Sequence, residues 1–208
     1  MRPRISILLL AFVLTNCSLK DGYYYNKGRD FMDAKEYENA IEAFRMVSHE
    51  HPISPDAFNN IGCALLNLER YDEAVREFDL AIKHNSQHFE AYMNKGLALF
   101  ELGEIKESVE FNNRAIEIEP NDSHNYINRG TSYRTLNLDQ KALYDYETAY
   151  DLDPSLPLAL GNLITIHKKL ENCNEVLRLS KLYIYKHGSR NDLEEIVKDC
   201  ASLVPDCE

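Results

Sequence analysis

Four asparagines stand at a fixed interval of 34 residues: Asn26, Asn60, Asn94 and Asn128. A side-chain amide carries donors and an acceptor, so it can hold another polypeptide's backbone without reading its side chains. Asparagine inside a helix also costs about 0.5 kcal/mol against alanine, so four in register point to something other than helix propensity. Other candidates for chemistry are sparser. His49-Glu50-His51 and the pair His84 and His88 offer imidazoles to a metal. Adjacent helical residues point in different directions, and neither group supplies the three or four converging ligands that zinc requires. No nucleophile with its base and orienting acid, no glycine-rich phosphate loop and no two-histidine zinc helix occurs. The sequence therefore predicts no catalytic residues, no metal and no cofactor.

The cysteines carry the remaining chemistry. Arg2 and Arg4 precede an apolar run from Ile5 to Leu14. Ten helical residues span about 15 Å, half a bilayer's hydrocarbon core, which fits a secretory signal over residues 1–16 and excludes a membrane span. The run ends Leu14-Thr15-Asn16-Cys17, which resembles the lipobox of bacterial lipoproteins, with Asn16 departing from the usual small residue. The resemblance implies that Cys17 becomes a lipidated N-terminus, palmitate among its acyl chains, that residues 17–20 form the tether, and that the protein is exported to the cell envelope. Ser18 after the cysteine, in place of Asp, resembles an outer-membrane sorting signal more than an inner-membrane one. Several acyl chains anchor far more firmly than one. Near the other end, Cys173 can meet Cys200 or Cys207 in an antiparallel hairpin turning around Gly188, a bridge worth about 2–4 kcal/mol. Cys63 stands alone.

With 208 residues, 44% of them hydrophobic and 27% charged, the chain can bury a sizeable core. Its formal charge is -11, becoming -13 without Arg2 and Arg4. That balance repels phosphate backbones, so nucleic acid is an unfavourable partner.

The elements that must position the asparagines follow from the same interval. Gly28, Gly62, Gly96 and Gly130 are 34 apart, as are Tyr24, Phe58, Tyr92 and Tyr126. Ala40, Ala74 and Ala142 share a register in which Ser108 fills the third slot. Phe44, Phe78 and Tyr146 share another, with Asn112 as the exception. Phe58, Ile61, Gly62 and Leu65 mark one face of a first helix, and Ala74, Phe78 and Ala81 one face of a second. Small residues on both helices allow close approach while one aromatic fills the gap. Pro52, Pro120 and Pro154 close their copies, and Ser86 replaces Pro in the other.

These residues resemble the tetratricopeptide repeat (TPR). The resemblance implies an all-α, right-handed solenoid over 21–188, with copies at 21–54, 55–88, 89–122 and 123–156. A degenerate fifth at 157–188 has Ile164, Val176 and Ser180 in place of the Gly, Ala and aromatic. Residues 189–208 supply a capping helix and tail, with Leu193, Ile196, Val197 and Leu203 on one side. Tyr and Phe fill the slot where the family often has Trp, which is absent here.

In this family first helices line a concave groove that takes peptides or protein surfaces. The four asparagines resemble the asparagine ladder of peptide-binding members, and Tyr25, Arg29, Asn59 and Arg134 stand at neighbouring groove positions. The carboxylate clamp of chaperone-binding relatives is not matched: its places hold Tyr25 and Arg29, then Asn60, then Glu90 and Asn94. Asp56, Glu90 and Glu101 lean towards a neutral or basic ligand. The expectation is a membrane-anchored, non-catalytic adaptor gripping an extended segment of a partner protein in envelope complex assembly. The alternative is a self-associating, homo-oligomeric spacer without a dedicated peptide ligand.

Overall fold

The computed structural model describes residues 7–47, 53–188 and 191–203. Among these residues all regular structure is helical. It runs α1 (Ile7–Asp33), α2 (Tyr37–Arg45), α3 (Ser54–Asn67), α4 (Tyr71–His84), α5 (Phe89–Glu101), α6 (Ile105–Ile118), α7 (Ser123–Thr135), α8 (Asp139–Leu152), α9 (Pro157–Lys169), α10 (Cys173–His187) and α11 (Asn191–Leu203). The fold is the expected all-α array of TPR helix hairpins. Two compact units divide it, Met1–Gly103 and Glu104–Glu208.

In the first unit α1 packs on α2, α2 on α3, α3 on α4 and α4 on α5, while α3 also touches α5. The core is built from the repeated small and aromatic positions: Ala40, Phe44, Ile61, Leu65, Ala74, Phe78 and Ala98 are buried together. The glycines are needed for room. A Cβ on Gly28 would fall 2.6 Å from the Phe44 ring, and one on Gly62 would strike Phe78 at least as hard. Each ring thus lies flat in a notch that only a missing side chain leaves open.

The second unit repeats the plan from α6 to α11, with Tyr146 over Gly130, where a Cβ would fall 2.8 Å from the ring. Its core continues through Leu160, Ile164, Val176 and Leu179 to Leu193 and Cys200 on α11. The copy that lost its consensus residues still forms the hairpin α9–α10, because Ile164, Val176 and Ser180 are fully buried. On α11, Leu193 is buried and Ile196 joins the same cluster, while Cys200 occupies a core place the apolar pattern alone did not assign.

Two features depart from the sequence pattern. Helix α1 runs unbroken through Cys17 into the first copy. The stretch 17–20 is therefore helical and advances about 6 Å, where the same four residues extended would span about 14 Å. Also, the hairpin turns at Lys35, Glu69, Gly103, Asn137 and Glu171 all adopt left-handed backbone, with φ of 60°, 58°, 83°, 58° and 58°. These positions are again 34 apart, yet one is glycine and one asparagine, the types that favour this conformation. The other three are held there by the packing of the helices on either side.

Candidate functional site

The amide row lies on the first helices. In the first unit, Asn26 is exposed on α1, while Asn60 on α3 and Asn94 on α5 are half-buried. Asn60 Nδ2 donates to the Tyr25 hydroxyl at 3.2 Å, joining α3 to α1. Asn94 Nδ2 donates to Asn59 Oδ1 at 3.0 Å and to Cys63 Sγ at 3.3 Å, joining α5 to α3. The structure thus makes two contacts through successive residues of α3, Asn60 with Tyr25 on one side and Asn59, with Cys63, to Asn94 on the other, Asn59 being buried. Both Asn94 donors are committed inside the protein, which leaves its Oδ1 as acceptor. Asn60 keeps one N–H and its oxygen.

The surroundings set the electrostatics. Tyr25 packs edge-on against Phe44, ring centroids 5.6 Å apart, and burial pushes its hydroxyl above the usual tyrosine range against the opposing bond from Asn60. Burial likewise pushes the Cys63 thiol up to about 12. Two acids expected to face a ligand already have a neighbour: His88, 6% exposed, places Nε2 3.0 Å from Asp56 Oδ1 and Nδ1 3.0 Å from Glu90 Oε2. The first contact has hydrogen-bond geometry and the second lies off it. His88 therefore links the starts of α3 and α5. Arg29 is exposed on α1, near the Tyr25 end of the row.

In the second unit Asn128 on α7 is half-buried, and α7 packs on α9. Arg134 is half-buried with Nε enclosed and without a hydrogen-bond partner. Asn162 on α9 continues the 34-residue series and is half-buried, a fifth amide that the interval itself could have found. It escaped notice because its copy lacks the glycine that marks the others.

Sequence reasoning also missed the residues just before two of the repeat glycines. Lys95 Nζ reaches back 2.6 Å to Asp79 Oδ1 on α4. Arg129 grips Asp145 through Nε and Nη2 at 2.8 and 2.6 Å and Asn113 through Nη1 at 2.8 Å. These cations fasten first helices to second helices and belong to the scaffold. Among the described residues no group of three or more His, Cys, Asp or Glu is arranged to hold a metal. His49, Glu50, His51 and Cys207 lie outside the described residues, as does Pro52. Cys173 and Cys200 are free thiols packed in one cluster where α10 meets α11.

Comparison with known proteins adds the family. The family model described as tetratricopeptide repeat matches residues 25–82 and 59–123. No curated protein matches the chain. Among solved structures, pilF of Pseudomonas aeruginosa is 16% identical over 90% of this chain and 86% of its own, with a TM-score of 0.80. MamA of Desulfovibrio magneticus RS-1 is 22% identical over 83% and 97%, with a TM-score of 0.71. YrrB, described as a TPR protein with an unusual peptide-binding site, is 20% identical over 85% and 90%, with a TM-score of 0.65. At such identities the likeness carries the fold.

Proposed function

Since the chain belongs to the tetratricopeptide repeat family, whose members are protein-interaction scaffolds, we propose that it is a non-catalytic adaptor that holds an extended peptide against its first helices. The observation that carries this reading is the amide row of the first unit, Asn26, Asn60 and Asn94, with Tyr25 and Asn59 fixing two of its members from beneath. Neighbouring helix axes lie about 8–10 Å apart, close to three residues of extended chain. One amide per helix therefore meets a peptide backbone at every third residue. Peptide binding described for YrrB supports the same use of the fold. The second unit offers its own amides, Asn128 and Asn162, beside Arg134.

In the same proposal Cys17 carries lipid and holds the adaptor on a membrane of the bacterial envelope, the outer one in preference, where it serves complex assembly. No helix among the described residues is long and apolar enough to cross a membrane.

Replacing Asn60 and Asn94 together by Ala tests the reading. Lost hydrogen bonds to Tyr25, Asn59 and Cys63 exceed the gain in helix propensity, so a loss of about 1–2 kcal/mol is expected, and circular dichroism checks that the variant stays helical. Crosslinking in native membranes is expected to map a partner onto α1, α3 and α5 in the parent and to lose it in the variant. Undiminished capture, or crosslinks only between copies of the chain, overturns the proposal in favour of the self-associating spacer.

A further inference from the structure

Helix α11 is the last described element and packs on α10 through Leu193 and Cys200. Cys173 is the first residue of α10, half-buried, and packs in the same apolar cluster as Cys200, which is 2% exposed. Both cysteines line a cavity of about 820 Å³ with Lys168, Asn172, Asn174, Asp199 and Ser202. One face of the contact is thus open to small molecules. The Lys168 ammonium and Asp199 carboxylate pair at 3.2 Å beside it, tying α9 to α11.

We propose that Cys173 and Cys200 form a redox-controlled clamp, an internal disulfide closed by thiol–disulfide exchange with a low-molecular-weight disulfide that enters this cavity. The accessible Cys173 thiolate attacks one sulfur of the incoming disulfide, giving a mixed disulfide and releasing one small thiol. Cys200, as thiolate, then attacks Cys173 Sγ and expels the second small thiolate. One S–S bond forms in the protein as one is lost from the reagent. The two cysteine protons end on the two released thiols. Their place in one cluster and one cavity selects Cys200, not Cys207, as the partner of Cys173. Closure fixes α11 to the start of α10 and so locks the end of the second unit. The inference stands apart from the peptide-binding reading, since it uses none of the same residues.

Burial and the neighbouring Cys173 hold the Cys200 thiol up at about 11, so the second step is slow at neutral pH. Lys168 opposes that shift and Asp199 adds to it. Glu171 also lines the cavity.

The test uses the full chain and oxidised glutathione, followed by alkylation and peptide mapping. The parent and Cys207→Ser are expected to yield the Cys173–Cys200 cross-linked peptide. Cys200→Ala is expected to stop at a glutathione adduct on Cys173. In the parent that adduct should resolve at least roughly tenfold faster at pH 9 than at pH 7, in step with the thiolate fraction. Amide exchange in α11 should slow by about tenfold or more on oxidation and return with dithiothreitol. A bridge from Cys173 to Cys207 in the parent, or Cys173 and Cys200 both still open to alkylation in oxidised Cys207→Ser, overturns the assignment. Unchanged exchange in α11 after bridging overturns the clamp.

Discussion

A glycine in a helix normally weakens it, and the structure separates the glycines that are needed from one that is not. Gly62→Ala drives a Cβ into the Phe78 ring, which has core on all sides. Overpacking of this kind costs about 1–3 kcal/mol beyond the gain in propensity. Gly22 in α1 has open space around it, so Gly22→Ala should stabilise by about 0.5–1 kcal/mol. Chemical denaturation of the two variants should give opposite signs, and like signs would contradict the notch. Cys63 gives a second residue-scale expectation. With its thiol at about 12 against an ordinary 9, the folded protein holds on the order of a thousandfold less thiolate near pH 8, and alkylation should slow accordingly. Because the folded value is the raised one, the linked stability is complete below about 9 and is lost as pH climbs towards 12. Alkylation of native Cys63 at the rate of the unfolded chain would refute the burial.

The helix pair is the level at which the sequence spoke most clearly. Glycine, alanine and aromatic positions locked to one interval told which faces meet, because close packing restricts residue size at those places. The turns were silent. Their left-handed residue recurs at the same interval, but Lys35, Glu69 and Glu171 have no chemical likeness that would reveal a shared backbone angle. The amide contacts of Asn60 and Asn94 were equally hidden, since they depend on which side chains lie one helix away. Glu69→Gly relieves a left-handed penalty of about 1–2 kcal/mol against a smaller loss of unfolded-chain restriction, so a net gain of about 0.5–1 kcal/mol is expected in the unfolding midpoint. The second helix of the third copy, α6, lacks at Ser108 and Asn112 the alanine and the aromatic of the first two copies. Asn112 is fully buried with Oδ1 unpartnered, and its Nδ2 donates to the Ser108 backbone oxygen at 2.9 Å. Ser108 in turn meets Ser132 hydroxyl to hydroxyl at 3.0 Å. Ser132 also donates to the Asn128 carbonyl and stays satisfied if Ser108 is removed. Restoring the residues of the first two copies with Ser108→Ala and Asn112→Phe should therefore stabilise by about 1–2 kcal/mol in thermal or chemical unfolding. A loss instead would mean that the site has no room for a ring.

For the molecule as a whole, attachment and recognition are separate properties. If Cys17 carries the lipid, Cys17→Ser should move the protein from the membrane pellet to the soluble fraction of the cells that make it, with folding intact by circular dichroism. Retention in the pellet would locate the anchor elsewhere. If recognition runs through the amides it is blind to copy number, because the same residue type recurs at the same sequence position on every first helix from α1 to α9. The hairpin turns are different. Their backbone is constant while the side chain on it changes, from ammonium at Lys35 to carboxylate at Glu69 and Glu171, amide at Asn137 and bare backbone at Gly103. Each bend is thus a distinct signpost on a standard post, and a protein that touches one of them learns where along the chain it has landed.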